Sequence, residues 1–332
     1  MATGTEPLAV ASGNFTLMKR TPLATGFGLI AAYTAVLFCP ILAAHNYPFA
    51  ITINRDSATP VQQRHLSSAS VETIQFHSTL TGKTLPYNVI LPPDYGRSRA
   101  TRYPVLYLLH GLMGHYTDWV TKTNVADYAA QYRMIVVTPE GNDGWYTDSA
   151  TVPSDKYESY FMKELIPDVQ KRYRTIETRY GRAVAGLSMG GYGAVKFGLK
   201  YPESFVFAAS MSGLLTIATT SQNDLKYPAA IRDSIASVLG PEDSGTRIAN
   251  DLEFMVRSMQ PSRVASLPHF YFDCGTEDLF LGQNARFAGL LYFKKIPHEY
   301  RQLPGNHNWA YWDQRVREVI KIAAEKLHAQ KN

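Results

Sequence analysis

Residues 186–190 read Gly-Leu-Ser-Met-Gly and place Ser188 between two glycines at the spacing G-x-S-x-G. A short apolar run, residues 182–185, precedes this pattern, and a segment rich in small residues, 191–199, follows it. Such a strand–turn–helix context lifts a serine oxygen out of a sheet, where it can attack a carbonyl carbon. The turn leaves space only for minimal side chains two positions before and after the serine. We therefore expect Ser188 to be the nucleophile of an acyl transfer.

A serine nucleophile needs a base, and His307 is the histidine whose position fits that role. Strand–turn–helix sites of this kind use the chain order serine, acid, histidine. Only His307 and His328, among nine histidines, follow the last predicted strand, residues 299–303. His328 lies at the end of the predicted closing helix near Lys326, which indicates a solvated side chain. His307 lies in a loop, from which an imidazole can reach the sheet edge, so we expect it to be the base.

The acid that orients the base should follow the predicted strand at residues 270–272, where the chain offers Asp273, Glu277 and Asp278. Asp273 comes at the predicted strand end, before the turn at Gly275, and is expected to be a structural hydrogen-bond partner. Asp278 lies further along the loop, where a carboxylate can turn toward the base. We expect Asp278 to be the acid, with Glu277 as the second candidate.

Negative charge develops on a carbonyl oxygen during attack, and two backbone N–H groups should meet it. One belongs to the residue after the serine, Met189, and the other to the loop after the third strand. That loop reads His-Gly-Leu-Met-Gly, residues 110–114, and its glycines allow the backbone to approach closely. We expect Leu112 to be the second donor, with Met113 as the alternative. His110 is expected to support this loop.

The elements that position these residues alternate between short apolar runs and amphipathic segments. This rhythm predicts an α/β fold with a mostly parallel, eight-stranded sheet and helices on both faces. The predicted strands are residues 71–80, 87–91, 105–109, 134–137, 182–185, 205–209, 270–272 and 299–303, and the predicted helices are 157–173, 192–199, 287–293 and 312–327.

Residues 214–260 interrupt the rhythm with helix-like pieces near 231–238 and 250–259. They either cover the carboxyl edge of the sheet, where ligand crevices open, or pack on its side. Four aromatic residues on predicted loops either wall an acyl or aryl pocket or belong to core and rim packing; they are Trp145, Tyr146, Phe280 and Trp309.

The 332 residues are 45% hydrophobic and 18% charged, which is a globular composition. The net charge of +5 is spread along the chain, and its densest basic cluster, residues 171–174, is typical of a solvated helix end. This distribution argues against a nucleic-acid partner. The chain has two cysteines, Cys39 and Cys274, and no histidine-rich ligand spacing. We expect no metal, no cofactor and no internal disulfide in the mature domain.

The N-terminus has the pattern of an export signal. Lys19 and Arg20 precede an apolar stretch, residues 27–38, and the small residues Ala43 and Ala44 follow it. We expect residues 1–44 to be an extension plus signal peptide, with an uncleaved membrane anchor as the alternative. Residues 45–70 are then a linker, and residues 71–328 are the catalytic domain. The predicted location is periplasmic or secreted, with membrane contact only if the anchor remains.

Four segments together resemble the esterase family of α/β-hydrolases that includes S-formylglutathione hydrolases, tributyrin esterases, feruloyl and acetylxylan esterases and mycolyltransferases. They are residues 103–111, 186–193, 273–278 and 305–309, and the loop at 139–146 is most similar to the tributyrin-esterase branch. The resemblance implies hydrolysis of small-molecule esters with short acyl groups, without a cofactor. It implies the roles of nucleophile for Ser188, acid for Asp278, base for His307 and oxyanion donors for Leu112 and Met189.

Alternatives remain at the level of function. An acyltransferase of the mycolyltransferase type would use the same residues, and a feruloyl or acetylxylan esterase would act on plant polysaccharide esters. A non-catalytic binding module is the alternative from another class, since a fold does not guarantee its chemistry. S-formylglutathione hydrolases are cytosolic, so the predicted export argues against that thioester as substrate. The sequence has no signal for an oligomeric state.

Overall fold

The computed structural model describes residues 69–329, and these contain one eight-stranded sheet. The predicted signal segment and most of the linker lie outside the described residues. The strands are β1 (Ser70–Ile74), β2 (Tyr87–Leu91), β3 (Val105–Leu109), β4 (Ile135–Pro139), β5 (Arg182–Leu187), β6 (Phe207–Met211), β7 (His269–Gly275) and β8 (His298–Leu303). Their order across the sheet is β1-β2-β4-β3-β5-β6-β7-β8. β2 is antiparallel to β1 and β4, and all other neighbours are parallel, as the sequence predicts.

Helices cover both faces of this sheet. They are α1 (Asp118–Lys122), α2 (Val125–Ala129), α3 (Tyr157–Tyr160), α4 (Ile166–Arg172), α5 (Met189–Lys200), α6 (Ala229–Leu239), α7 (Gly245–Ala249), α8 (Leu252–Ser258), α9 (Pro261–Val264), α10 (Leu281–Phe293) and α11 (Trp309–Lys326). Residues of α1, α2 and α11 contribute to the core on one face, and residues of α4, α5, α8 and α10 to the core on the other. The described part of the chain therefore has the α/β-hydrolase architecture.

The central strand β3 has hydrophobic residues at every position because each face of the sheet has its own core. In β3, Val105, Tyr107 and Leu109 belong to the core that α5 covers. Leu106 and Leu108 alternate with them and belong to the core that α11 covers. This period of two is the side-chain period of a strand. The short apolar runs in the sequence are therefore the inner strands of the sheet.

The first strand is shorter than expected, since it ends at Ile74 instead of continuing to residue 80. The carboxylate of Glu164 accepts hydrogen bonds from the Ser78 hydroxyl at 2.5 Å and from the Leu80 N–H at 3.1 Å. It also accepts the N–H of Thr79 at 3.0 Å. Because these groups bind a side chain from another segment, residues 78–80 leave the strand ladder.

The predicted helix at residues 157–173 is interrupted. A π-helical turn, Phe161–Leu165, separates α3 from α4, and Pro167 is the second residue of α4. Proline has no N–H to donate to the carbonyl four residues earlier, so a regular α-helical bond at this point is impossible. The helix therefore continues only with a wider turn.

Other element ends were also predicted wrongly. β7 continues to Gly275, so Asp273 lies inside the strand. α10 begins at Leu281, six residues before the expected start at 287. α11 begins at Trp309, because the side chain of Asn308 accepts the Tyr311 N–H at 3.0 Å and caps the helix three residues earlier than expected.

Candidate active site

Ser188 lies at the sharp turn between the end of β5 and the start of α5. Its backbone has φ +51° and ψ −116°, a conformation that is rare for a residue with a side chain. Its N–H donates to the Met211 carbonyl at 3.0 Å, which ties the turn to β6. The side chain is half-buried, so a substrate can reach its oxygen. Strained backbone of this kind costs about 1–3 kcal/mol and is concentrated at functional sites.

The glycines around Ser188 are required by close backbone contacts. A Cβ at Gly186 would lie 2.4 Å from the carbonyl carbon of Gly190. A Cβ at Gly190 would lie 2.5 Å from the Leu109 oxygen, at the end of β3. Both distances are far inside van der Waals contact. The sequence argument that these two positions must be minimal is confirmed by the geometry.

Gly193 has a different neighbour from Gly191. A Cβ at Gly191 would lie 2.6 Å from the Ser210 hydroxyl of β6, so this glycine lets α5 lie close to the sheet. A Cβ at Gly193 would instead lie 2.7 Å from the ring of Tyr146. The glycine therefore makes space for a loop that lies over α5.

The structure brings His307 between Ser188 and Asp278. His307 Nε2 lies 3.0 Å from the Ser188 Oγ, and His307 Nδ1 lies 2.8 Å from the Asp278 Oδ2. A carboxylate at Nδ1 favours the tautomer with a proton on that nitrogen. The lone pair of Nε2 then faces the serine hydroxyl and can accept its proton.

Asp278 is held as an ionised group. Its side chain is fully buried, and its Oδ1 accepts the Phe280 N–H at 2.8 Å. Burial acts to raise the pKa of this carboxyl, but the hydrogen bond and charge of His307, together with the Phe280 N–H, outweigh burial and lower the pKa. Glu277, the second candidate, is exposed.

Asp273 is separate from this site. Tyr311 donates its hydroxyl to the Asp273 Oδ1 at 3.1 Å, and Arg315 Nε lies 3.4 Å from the Oδ2. Burial raises the pKa of the Asp273 carboxyl to about 6, although Arg315 opposes the increase. These contacts agree with the expected structural role. The adjacent Cys274 is fully buried, and burial raises the pKa of its thiol, which argues against a nucleophilic role.

Two glycines bring the loops of the acid and the base together. A Cβ at Gly275 would lie 2.2 Å from the carbonyl oxygen of Gly305. Gly305 has φ +143°, and the Glu277 N–H donates to its carbonyl at 3.0 Å. The loop after β7 and the loop after β8 therefore contact each other through backbone, directly before Asp278 and His307.

Aromatic rings enclose the imidazole. Phe280 and Trp312 each have a ring centroid 4.8 Å from that of His307, both edge-on, and 29% of the His307 side chain is exposed. Trp312 was not among the residues that sequence reasoning selected. Its position in the first turn of α11, five residues after His307, was the available signal. These contacts restrict the rotation of the imidazole.

The other aromatic residues that the sequence analysis selected pack inside the domain or within a helix. Trp145 and Tyr146 are 1% and 2% exposed and belong to the core, so they do not wall an open pocket. Trp309 lies in α11 and not in a loop, where it contacts Trp119 and Trp312 edge-on. Of the four, Phe280 alone makes a ring contact with His307 among the residues that the structure describes.

The backbone around Ser188 offers two N–H groups for a developing oxyanion. Met189 is the first residue of α5, so its N–H has no intrahelical acceptor. In the 110–114 loop, the Met113 N–H donates to the Asp143 Oδ1 at 2.6 Å, whereas the Leu112 N–H has no partner among residues 69–329. A Cβ at Gly111 would lie 3.5 Å from the Ser188 Cβ, which places this loop beside the serine. The geometry thus favours the N–H of Leu112 over that of Met113 as the second donor to an oxyanion.

His110 supports this loop, as expected. It is fully buried, its Nδ1 lies 2.7 Å from the Gly111 carbonyl, and its Nε2 accepts the Gly141 N–H at 2.9 Å. Glu140 binds the same region through the N–H groups of Tyr116 and Asn142. Burial acts to raise the pKa of Glu140, but His110 and these N–H groups lower it to about 2.

The insertion at residues 214–260 contains α6, α7, α8 and a short 3₁₀ turn, Ile217–Thr219. Before α6, Tyr227 contacts Phe280 with ring centroids 6.0 Å apart, and Phe280 contacts His307. Further along, α8 packs against α5 and α10. One part of the insertion therefore borders the site, and another packs on the side of the domain.

Residues 69–329 contain no cluster of three or more histidine, cysteine, aspartate or glutamate side chains suited to hold a metal ion. Within the same residues, no helix combines the length and apolar character needed to cross a bilayer.

The mostly parallel eight-stranded sheet with helices on both faces is an α/β-hydrolase fold. The family described as "Putative esterase" matches residues 78–321, and the chain belongs to this family. The match covers the sheet from the turn after β1 to the middle of α11. The more specific prediction, the tributyrin-esterase branch, stays a prediction.

Curated relatives carry ester hydrolase names. The chain is 27% identical over 271 residues to the acetyl esterase of Caldicellulosiruptor saccharolyticus. This alignment covers 76% of this chain and 97% of the relative. It is 32% identical over 255 residues to an esterase of Mycobacterium tuberculosis, which covers 70% of this chain. The match spans 54% of the length of that mycobacterial protein.

Solved structures agree with these relatives. A ferulic acid esterase has a TM-score of 0.67 and 27% identity, and the alignment covers 78% of this chain and 99% of that one. The S-formylglutathione hydrolase of Staphylococcus aureus has a TM-score of 0.64 and 26% identity, with coverage of 77% and 99%. The chain is therefore a carboxylic ester hydrolase.

Proposed function

We propose that the protein is a serine carboxylesterase that hydrolyses short-chain acyl esters through an acyl-enzyme. The observation that carries this proposal is the continuous hydrogen-bonded row of Asp278, His307 and Ser188, with distances of 2.8 Å and 3.0 Å, beside two free backbone N–H groups. Nucleophile, base and orienting acid in this arrangement are the requirements of covalent acyl transfer.

In the first step, His307 Nε2 takes the proton of the Ser188 hydroxyl while the serine oxygen attacks the ester carbonyl. The new carbon–oxygen bond produces a tetrahedral intermediate, whose oxyanion accepts hydrogen bonds from the Leu112 and Met189 N–H groups. Asp278 stabilises the imidazolium through Nδ1. The imidazolium then donates its proton to the leaving alcohol, and the carbon–oxygen bond to that alcohol breaks.

In the second step, water replaces the alcohol. His307 takes a proton from the water as its oxygen attacks the acyl-enzyme, and the same two N–H groups bind the second oxyanion. Collapse of this intermediate returns the proton to Ser188 and releases the carboxylic acid. No cofactor is needed, because the proton and the acyl group are both carried by the protein's own side chains.

The choice of a short acyl group is supported by the acetyl esterase relative, which is matched over nearly its whole length. Phe280, with Tyr227 beyond it, borders the base on one side. A second candidate is an aryl ester such as a feruloyl ester, because the ferulic acid esterase is a structural neighbour at 27% identity. Both candidates use the same mechanism and differ only in the pocket.

The test compares hydrolysis of p-nitrophenyl acetate, butyrate and octanoate and of methyl ferulate by the full chain and by Ser188→Ala. We expect turnover to be fastest with acetate or butyrate and to fall by about 10³ or more in the variant. Methyl ferulate as the best substrate would support the second candidate. A folded Ser188→Ala protein with near-normal turnover would contradict the mechanism.

Transfer and hydrolysis are separated in the same assay. Added alcohols or sugars compete with water for the acyl-enzyme, and the ratio of new ester to free acid measures the partition. A carboxylesterase releases mainly the acid, whereas predominant transfer to the added acceptor would identify an acyltransferase.

A further inference from the structure

Residues 141–148, here named the clamp loop, have an unusual backbone beside the site. Asn142, Trp145 and Tyr146 have φ values of +41°, +49° and +50°, although none of them is glycine. Left-handed backbone at non-glycine residues persists only where surrounding contacts hold it in place. The contacts of the clamp loop therefore indicate which parts of the site this backbone conformation holds in place.

The first set of contacts joins the clamp loop to the 110–114 loop. The Asp143 Oδ1 accepts the Met113 N–H at 2.6 Å, and the Tyr146 hydroxyl donates to the His110 carbonyl at 3.1 Å. The Gly141 N–H donates to His110 Nε2 at 2.9 Å. Three hydrogen bonds thus connect the clamp loop to the segment that contains Leu112.

The second set joins the clamp loop to α5. The fully buried Lys196 donates to the Tyr146 carbonyl and, at 2.8 Å, to the Thr147 hydroxyl. The ring of Tyr146 lies against Gly193, at a distance that leaves no space for a Cβ. Helix α5 begins at Met189. The clamp loop therefore contacts both backbone segments that supply the two N–H donors.

We propose that the clamp loop sets the separation of the Leu112 and Met189 N–H groups, with Asp143 and Tyr146 as positioning residues. The inference rests on the function proposed above. Stabilisation of an oxyanion requires both donors at about 2.7–3.1 Å from the oxygen, and it weakens when either donor moves. Asp143 occupies the Met113 N–H and leaves the Leu112 N–H as the free donor of its loop. We assign both residues a role in positioning through the backbone of the 110–114 loop.

The chemistry of each contact predicts which substitutions should matter. Asp143 is exposed and serves as a hydrogen-bond acceptor, so an amide oxygen at the same position can replace it. This contact requires an acceptor oxygen and does not require a negative charge. Tyr146 contributes its hydroxyl to the contact with the His110 carbonyl, whereas its ring belongs to the core.

The experiment uses Asp143→Ala, Asp143→Asn and Tyr146→Phe in the full chain, with two matched controls. Asp251 is another aspartate whose Oδ1 accepts a backbone N–H, from Phe254 at 3.0 Å, so Asp251→Ala is the control for Asp143→Ala. Tyr103 is a buried tyrosine whose hydroxyl donates to the Asp94 carbonyl at 3.3 Å, so Tyr103→Phe is the control for Tyr146→Phe.

The readouts are kcat and KM for p-nitrophenyl acetate, and the inhibition constant of an alkyl boronic acid. The boronic acid forms a tetrahedral anion on the serine oxygen and so reports on the oxyanion donors. We expect Asp143→Ala and Tyr146→Phe to lower kcat about tenfold, with KM within twofold, and to weaken boronic acid binding by a similar factor. Asp143→Asn and both controls should stay within twofold of the wild type.

Wild-type kcat and boronic acid binding in Asp143→Ala and Tyr146→Phe would overturn the inference, while an inactive Ser188→Ala would leave the proposed function standing. Activity in Ser188→Ala would instead remove the proposed function and the inference with it. Thermal unfolding of each variant identifies a folding defect. If Asp143→Ala does not fold, Tyr146→Phe, which keeps the aromatic ring, decides by the same readouts.

Discussion

A free serine hydroxyl is a weak nucleophile, and in the proposed mechanism Ser188 gains reactivity from the groups around it. One of these groups is Asp278, whose surroundings keep its side chain negatively charged. Its side chain is fully buried, and its partner His307 holds the pKa of the carboxyl below the ordinary value. The carboxylate therefore remains ionised at neutral pH and can balance the imidazolium that forms during the reaction.

At this scale we predict that Asp278→Asn lowers kcat by about 10² to 10⁴. An amide at this position cannot balance the imidazolium charge, and it allows the wrong tautomer of His307. The measurement is steady-state hydrolysis of p-nitrophenyl acetate, with circular dichroism to verify folding.

The control for this prediction is the neighbouring carboxylate. Glu277 is exposed, and Glu277→Gln should keep kcat within twofold of the wild type. A large loss in Glu277→Gln with little change in Asp278→Asn would assign the acid to Glu277.

At the scale of elements, the turn between β5 and α5 positions Ser188 and the Met189 N–H. Gly190 lies in the first turn of α5, where a Cβ would overlap the carbonyl oxygens of Leu109, the last residue of β3, and of His110. The helix that carries the Met189 N–H is thus packed directly on the segment that leads to Leu112. No side chain intervenes between the two segments, so any added atom must move one of them.

We predict that Gly190→Ala lowers kcat by at least about 10² and the free energy of unfolding by about 1–3 kcal/mol. The added methyl would lie 2.5 Å and 2.6 Å from two backbone oxygens, which cannot rotate away as a side chain can. Activity assays and urea unfolding measure the two effects.

Gly289→Ala is the matched control, because a Cβ at this position in α10 has no neighbour within 4 Å. Alanine has the higher helix propensity, so this variant should keep its activity and gain up to about 1 kcal/mol. Wild-type activity in a folded Gly190→Ala protein would show that the close packing is not required.

A buried ion pair joins α3 to α5. Lys196 Nζ lies 2.8 Å from the Glu158 Oε2, and Lys200 and the Tyr201 hydroxyl also contact this carboxylate. Burial acts against both charges. Burial lowers the pKa of Lys196 to about 8, whereas Lys196 and Lys200 outweigh burial at Glu158 and lower its pKa to about 2. Removal of Glu158 would leave the lysine charge buried without its counterion.

We predict that Glu158→Gln lowers the free energy of unfolding at pH 7 by about 3–5 kcal/mol, the usual cost of breaking a buried pair. The pKa of Glu158 is lower in the folded than in the unfolded chain, so its contribution is present above the unfolded value of about 4.3. It is lost as pH falls toward 2. The difference between wild type and Glu158→Gln should therefore shrink from pH 7 to pH 3.

Urea unfolding at several pH values measures this difference. Glu253→Gln is the control, because Glu253 pairs with Arg257 and Arg286, whose side chains are well exposed, and such pairs contribute about 0–1 kcal/mol. Equal effects of the two substitutions on the free energy of unfolding would show that the buried pair stabilises the fold no more than the exposed pairs.

At the scale of the whole molecule, the parallel sheet assembles a site from distant parts of the chain. Ser188 and His307 are 119 positions apart, yet their side chains meet. Leu109 pairs with Gly186, and Gly275 with Leu303, so the strands end at a common edge. The loops that follow them therefore lie side by side, as in other α/β sheets with a ligand crevice at the carboxyl ends.

The cellular location is also predicted at the scale of the whole molecule. We propose that the chain is exported and that residues 1–44 are removed. Expression of the full chain with a C-terminal tag, followed by N-terminal sequencing of the protein outside the cytoplasm, should give a mature start near His45. A full-length protein in the membrane fraction would indicate the uncleaved anchor instead.

Much of the fold could be predicted because the signals are local. Strand and helix periods in β3, β5 and α5 depend on residues close in sequence, and they predicted the eight strands and their mostly parallel arrangement. Element ends were less accurate, since they depend on remote partners. Residues 78–80, for example, do not continue β1, and Glu164, about 85 positions away, accepts the N–H groups of Thr79 and Leu80.

The sequence by itself determined the candidates for nucleophile, base and acid. Ser188 lies in a short motif that only a sharp turn can accommodate, and His307 and Asp278 lie in loops after predicted strands, in the expected chain order. The tertiary structure decided what depends on contacts between segments. It placed Asp143 on the Met113 N–H, which favours Leu112 as donor, and it placed Trp312 against His307. It also buried Lys196 beneath the clamp loop. Such contacts follow from the packing of distant elements, which no local pattern in the chain encodes.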